Sequence, residues 1–225
     1  MVSLAGQPLW TLGARFTISI GMESITTGAV PRGRPREFDA QEALTAALRV
    51  FWMRGYEGAS LTELTEAMGI TRPSLYACYG NKESLFRKAL DLYEHEKLAY
   101  MTAALDAPTA RGVAERLLRG ALDMQLNAAD PKGCLGVISS VTCGAEAESI
   151  KADVLARRAS SDAALMARFE RAKAEGDLPD GVEPHALALY MIAVIQGMCL
   201  QAGNGASADD LRSLVDTTMM VWPGH

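Results

Sequence analysis

The side chains best suited to chemistry in this sequence are cationic and hydroxylic hydrogen-bond donors, crowded into one region. Thr71, Arg72, Ser74, Tyr76, Tyr79 and Lys82 follow one another closely, and upstream Pro31-Arg-Gly-Arg-Pro-Arg36 sets Arg32, Arg34 and Arg36 on a backbone kept extended by proline. Such groups bond to phosphate oxygens and to base edges. Covalent and metal chemistry have less to draw on. His95, His185 and His225 form no HExxH pair, and neither a Gly-rich phosphate loop nor a Gly-x-Ser-x-Gly elbow is present. In Glu94-His95-Glu96, adjacent helical residues point in different directions, so the three cannot close on one ion. Cys78, Cys134, Cys143 and Cys199 make no CxxC pair and have no histidine at zinc spacing, which argues against structural zinc or a disulfide framework. The chain therefore reads as a non-enzyme with no cofactor and no metal.

A run of short helices must position those donors. After Asp39, Leu44, Ala47, Leu48 and Phe51 keep the i, i+3, i+4, i+7 spacing of one buried stripe, and Gly55 supplies a stop. Ser60-Leu-Thr-Glu63 reads as a capping box that opens a second helix, with Leu61, Leu64 and Met68 facing inward and an end at Gly69. Thr71 caps a third helix, which carries Pro73 in its first turn and breaks at Gly80. Asn81 caps a fourth, read as running through to about Leu105. Further helices are predicted over about 109–128, 134–143, 147–175, 184–202 and 207–221, with Pro- and Gly-containing punctuation between them. No segment alternates as a strand would, so the fold class is all-α.

Composition sets the outer bounds. A chain of 225 residues, 49% hydrophobic and 22% charged, can bury the core of one large or two small domains. The net charge of −5 taken alone argues against a nucleic-acid partner. Its distribution reverses that reading: residues 31–90 hold 9 basic and 7 acidic side chains, whereas residues 91–225 hold 12 and 19. With no unbroken apolar run of about 18 residues and no secretory signal pattern, the expectation is a cytoplasmic protein with no membrane partner. Residues 1–30 read as a disordered leader, with Met22 as an alternative start.

Three short helices with a Gly-containing turn between the second and third make a helix-turn-helix unit, which presents one helix to the major groove. The exposed set on that helix is Thr71, Arg72, Ser74, Ala77 and Cys78. Arg72 suits a bidentate contact with guanine; Thr71 and Ser74 suit a base or a phosphate; Tyr76, Tyr79 and Lys82 carry polar tips suited to phosphate. Tyr76 is equally open to a core reading, because its ring can pack while its hydroxyl reaches out. The arginine arm reads as a minor-groove contact, with a solvated linker as the alternative, and its Arg-Gly-Arg-Pro core resembles the AT-hook motif.

Gly33-Arg-Pro-Arg36, Ala46-Ala-Leu-Arg-Val-Phe51, Gly55-Tyr56, Ser60-Leu-Thr-Glu-Leu64, Ala67-Met-Gly-Ile70, Leu75-Tyr76 and Asn81-Lys-Glu-Ser-Leu-Phe86 stand in the order and spacing of one family. Over about residues 33–86 the chain resembles the TetR/AcrR family of bacterial transcriptional repressors. The resemblance implies DNA contacts at Arg72, Ser74, Tyr76 and Lys82, and Cys78 stands where many members have a phosphate-touching histidine. It also implies a helix-turn-helix DNA-binding domain over residues 31–82 and an effector-binding and dimerisation domain over 83–225. The implied partners are a double-stranded DNA operator, a small-molecule effector and a second copy of the chain.

Within the second domain, Met101, Leu105, Met124, Ile138, Met166, Phe169, Met191 and Gln196 are the candidate ligand-binding residues. Methionine suits an irregular, tolerant cavity, and an amide in an apolar run can orient a ligand or bond to a neighbouring helix. The last two helices look apolar on more than one face, through Leu187, Leu189, Met191, Val194 and Ile195 and through Leu211, Leu214, Val215, Met219 and Trp222. With Ala193 and Gly197 allowing close approach, they predict a two-fold dimer through a four-helix contact. An alternative sensor is a thiol: Cys134, at a helix start beside Lys132, reads either as a redox or electrophile sensor or as an inert buried residue.

Overall fold

The computed structural model describes residues 38–142 and 147–224; the leader, the arginine arm with Arg32, Arg34 and Arg36, Cys143 and His225 lie outside the described residues. Those residues form ten helices and no strand. Helix α1 spans Ala40–Gly58, started by the Asp39 carboxylate accepting from the amides of Gln41 and Glu42 at 2.7 and 3.3 Å. Gly55 takes φ 70°, a left-handed conformation that breaks the regular helix where the sequence places its stop. Helix α2, Leu61–Ala67, is capped by Ser60 alone: the Glu63 carboxylate takes the Arg54 guanidinium at 3.1 Å instead of reaching back to complete the box. A complete capping box stands elsewhere, between Ser207 and Asp210.

Helix α3, Arg72–Tyr79, starts at the Thr71 cap and ends at Gly80, φ 84°. Helix α4, Lys82–Lys97, starts where Asn81 accepts from the Ser84 amide at 2.7 Å. The expected continuous helix to Leu105 is two elements: the chain leaves helical geometry at Leu98 and resumes as α5, Ala99–Ala104. No proline or glycine marks that break. Then follow α6 (Ala110–Leu126), α7 (Leu135–Thr142), α8 (Glu148–Ala174), α9 (Pro184–Gly203) and α10 (Ala208–Met220).

Two hydrophobic clusters hold these elements. The first is built on Phe51, Trp52, Leu64, Leu75, Phe86 and Tyr93, and also takes in Leu135, Ile150, Val154 and Cys199 from α7, α8 and α9. Its rings interlock edge-on, Phe51 against Phe86 at 5.1 Å and Trp52 against Tyr93 at 4.7 Å. The second is built on Val113, Leu117, Leu118, Phe169, Met191, Leu211, Val215 and Trp222. Tyr100 packs on both clusters. Helix α9 is long and apolar enough to cross a membrane by length and composition, at mean hydropathy 1.6, yet it packs within this core against α6 and α8. Arg168 is buried without an ion pair among the described residues, its guanidinium donating to the carbonyls of Leu105 and Ala107 at 3.1 and 2.7 Å, where α5 ends.

Candidate nucleic-acid interface and the cavity behind it

Helix α3 is anchored by Leu75 and Tyr79, buried four residues apart on one face, so the opposite face turns outward. That outward face carries Thr71, Arg72, Tyr76 and Ala77 exposed, with Ser74 and Cys78 half-buried. The Thr71 hydroxyl, 3.3 Å from the Ser74 amide and 3.0 Å from its hydroxyl, is occupied by capping. Arg72 rests its guanidinium on the Thr62 hydroxyl at 2.6 Å, a neutral partner that a guanine or phosphate can replace. Tyr76 stands 47% exposed, which decides between its two readings: it lies on the outward face and outside the core.

Tyr79 is a correction. Its side chain is 7% exposed and its hydroxyl donates to the Ala40 carbonyl at 2.7 Å, so it ties α3 to the start of α1 and offers no tip to phosphate. The Lys82 ammonium lies over the Tyr56 ring at 4.6 Å and reaches the Glu57 carbonyl at 3.5 Å, beside the end of α3.

Behind this head lies a cavity of about 750 Å³ bounded by α4 to α9, within the size range of small-molecule sites. Four of the eight residues named from sequence line it: Met101, Leu105, Met124 and Gln196. The other four do not. Phe169 stacks edge-on with Trp222 at 5.8 Å, Met191 is fully buried in the second cluster, Met166 packs against that cluster, and Ile138 packs against the first. Periodicity placed each on an inward face, but only the helix crossings decide which inward faces meet one another and which face a void.

Cys134, singled out from sequence as a thiol sensor, lines the cavity as well, and the other polar lining residues were not foreseen. Tyr93, Tyr100 and Cys199 contribute polar atoms beside it; Glu94, Arg157, Arg158 and Asp162 contribute charge. Arg157 bridges α8 to α4, bonding Asp91 at 2.7 Å and Glu94 at 2.8 Å, with Asp153 at 3.4 Å. Burial works against its charge, yet the Asp91 and Glu94 carboxylates hold the guanidinium above its ordinary pKa. Arg87 repeats the bridge nearby, between Glu83 at 2.8 Å and Asp153 at 3.2 Å.

The floor is the turn at Gly133 and Cys134. Gln125, 1% exposed, clamps it: the Gly133 amide donates to its Oε1 at 2.8 Å, and its Nε2 donates to the Gly133 carbonyl at 3.2 Å. The same carbonyl accepts the Trp52 indole N–H at 3.1 Å, a direct link from the cavity floor to α1. Lys132 does not serve the thiol as expected; its ammonium bonds the carbonyls of Gln125 and Asn127 at 2.5 and 3.1 Å. Cys134 is held below the ordinary thiol range, first by a hydrogen bond from Cys199, then by the Tyr93 hydroxyl and the amides of Val137 and Gly136, all against the opposing effect of burial. Cys199 is pushed the other way by that same hydrogen bond and by burial. Burial also raises Tyr93 and Tyr100, keeping both phenols neutral.

Comparison with known proteins places these features in context. Residues 43–89 match the family model described as bacterial regulatory proteins, tetR family. The HTH-type transcriptional repressor ComR of Escherichia coli (strain K12) is 32% identical over 194 residues, 85% of this chain and 92% of that protein. The HTH-type transcriptional regulator YezE of Bacillus subtilis (strain 168) is 34% identical over 200 residues, 84% of this chain and 98% of its own length. Among solved structures, a cysteine mutant of the TetR family transcriptional regulator CifR, complexed with 26bp double-strand operator DNA, aligns with a TM-score of 0.79 at 40% identity. It covers 84% of this chain and 100% of that one.

Proposed function

This chain belongs to the TetR family of bacterial regulatory proteins, and from that premise we propose that it is a ligand-responsive DNA-binding transcriptional repressor. Two copies grip a pseudo-palindromic operator and release it when a small molecule fills the cavity. Its work is binding, with no turnover. One observation carries this reading: α4 belongs to both parts of the molecule. Leu85, Phe86 and Ala89 lock it into the core beneath α3, while Leu90, Tyr93, Glu94 and the adjoining Leu98 line the cavity. A ligand that favours one α4 position over another changes the spacing of the two reading helices, and only such differential affinity can shift operator binding.

The surface of α9 supports the dimer. Leu189, Ala193, Gly197 and Leu200 follow one stripe of that helix; Leu189 and Leu200 are 49% and 48% exposed, and a Cβ built on Gly197 meets nothing within 4 Å. Much of the apolar surface expected to need a partner is covered within the protomer instead: Leu187, Met191, Leu211, Val215, Met219 and Trp222 are all buried.

Selection of genomic fragments on the purified full chain, followed by footprinting, tests the reading. Enrichment of a symmetric site protected on two successive major grooves is the expected result, and fragments bound without sequence preference overturn it. A second reading, a redox or electrophile sensor acting through Cys134, is favoured by that thiol lining the cavity, where its neighbours favour the thiolate. Loss of operator binding on mild oxidation, absent in Cys134→Ser, supports this second reading; equal loss in the variant removes it.

A further inference from the structure

Cys134, just before α7, and Cys199, on α9, stand far apart in sequence, yet both line the floor of the cavity. The surrounding backbone is close. A Cβ built on Gly133 stands 3.6 Å from the Cys199 carbonyl oxygen, and Gln125 bonds both the Gly133 backbone and, at 3.6 Å, the Cys199 sulfur. The cavity lining is mainly apolar, with Leu90, Leu98, Leu105, Leu117, Ile192 and Ile195 in it beside the charged group of Glu94, Arg157, Arg158 and Asp162. The Tyr93 hydroxyl, which acts on Cys134, also donates to the Met124 sulfur at 3.8 Å.

We propose that Cys134 and Cys199 are a peroxidatic and resolving pair, closed into a reversible disulfide by an apolar organic hydroperoxide that enters the cavity. This deepens the thiol reading above and rests on it. The Cys134 thiolate attacks the terminal peroxide oxygen; an S–O bond forms, the O–O bond breaks, and the alkoxide takes a proton to leave as an alcohol. Cys199 then attacks the sulfenic sulfur. The S–S bond forms, the S–O bond breaks, and the departing hydroxide takes the Cys199 proton to leave as water. Two thiols and one hydroperoxide give one disulfide, one alcohol and one water, a two-electron exchange with no further reactant.

The local groups suit each step. The amides of Gly136 and Val137 at the start of α7 and the Tyr93 hydroxyl favour charge on Cys134. Cys199 is held as the thiol chiefly by its bond to that charged neighbour, and this restraint disappears once Cys134 has become a neutral sulfenic acid. Closing the disulfide brings the sulfurs to roughly 2.0 Å, drawing the start of α7 towards α9. The residue before Cys134 carries the carbonyl that holds the Trp52 indole, so the movement pulls directly on α1.

Treating the full chain with one equivalent of cumene hydroperoxide, and separately of hydrogen peroxide, tests this through non-reducing peptide mapping and operator retention. Expected is a Cys134–Cys199 link, loss of operator reversed by dithiothreitol, and faster reaction with the organic peroxide. Cys143→Ser should leave the link intact, and Cys199→Ser should stop at a sulfenic acid trapped by dimedone. Oxidised Cys134 left unlinked, or linked to Cys143, overturns the pairing while the single-thiol reading survives. Cys134 inert to both peroxides and to iodoacetamide removes both readings. A link that leaves operator retention unchanged overturns the switch, and equal rates with the two peroxides overturn the organic class.

Discussion

Arg72 and Tyr79 show how residues a turn or two apart on one short helix take opposite duties. Arg72 is exposed and, among the described residues, held by the Thr62 hydroxyl alone, so if it reads a base as proposed, Arg72→Ala removes that contact without disturbing the core. A lost bidentate pair costs about 1–3 kcal/mol of discrimination, or roughly 5- to 150-fold in affinity at the guanine it reads. Binding titrations on operators altered one base pair at a time would show that loss concentrated at one position. Tyr79→Phe should leave specificity intact and lower stability by about 1 kcal/mol in urea unfolding, because it strips the Ala40 carbonyl of its donor. If Tyr79→Phe instead weakens operator binding with unchanged stability, the phosphate role expected from sequence returns. Cys134 gives a prediction in pH. Its thiolate forms below the ordinary thiol range, so the midpoint of its iodoacetamide rate against pH should lie below that of a free cysteine, the rate falling about tenfold per unit well under that midpoint. Tyr93→Phe, by removing one donor to the sulfur, should move that midpoint upward; an unmoved midpoint would mean the hydroxyl does not face the thiolate.

At the scale of elements, the turn before α7 couples more parts than its length suggests. Gln125→Leu leaves the buried Gly133 amide without its acceptor, and one orphaned buried donor costs about 1–3 kcal/mol. Urea unfolding should show that loss. The Trp52 indole keeps its own bond to the Gly133 carbonyl, so its emission should stay near that of the parent if the carbonyl holds position. Gly120 on α6 sits where the Tyr100 ring lies across the position a Cβ would take. Gly120→Ala forces that ring aside and should cost about 1–3 kcal/mol by overpacking. Tyr100 also lines the cavity, so uptake of an apolar fluorescent dye should weaken as well; undiminished uptake would place the displaced ring outside it. Most helices were legible because their ends are written in local chemistry: Asp39, Ser60, Thr71, Asn81 and Gly80 act within a few residues of themselves. The break at Leu98 was not, since no Pro or Gly marks it. Cavity lining was half legible for a related reason. Periodicity gives the inward face of Met191 and Met101 alike, while the crossing of α5, α6 and α9 seals the first in core and opens the second to the void. Gln125 carries a signal of its own, an amide on the apolar face of an amphipathic helix shortly before a Pro–Gly turn.

For the whole molecule, one chain offers a single reading helix and a net charge of −5, a weak basis for holding DNA. Two-fold pairing makes the arrangement effective, because the second head then binds at high local concentration. If α9 makes that pairing, Leu200→Glu places like charges near the symmetry axis and buries them, a combination that no opposing group on the same stripe relieves. Sedimentation should then report the 24.1 kDa protomer in place of a species of twice the mass. Operator affinity should fall more than tenfold, and the slope of log affinity against log salt should halve, each phosphate contact contributing about 0.9. Deleting residues 31–36 separates the arm from the dimer: the mass stays doubled, and the slope flattens only by the phosphates the arginines neutralise. A Leu200→Glu protein that remains dimeric would move the interface off α9. A monomer that still binds operator with the parent's slope would mean that one head suffices, and the cavity would then have to act within a protomer, through α4 and the Gly133 turn alone.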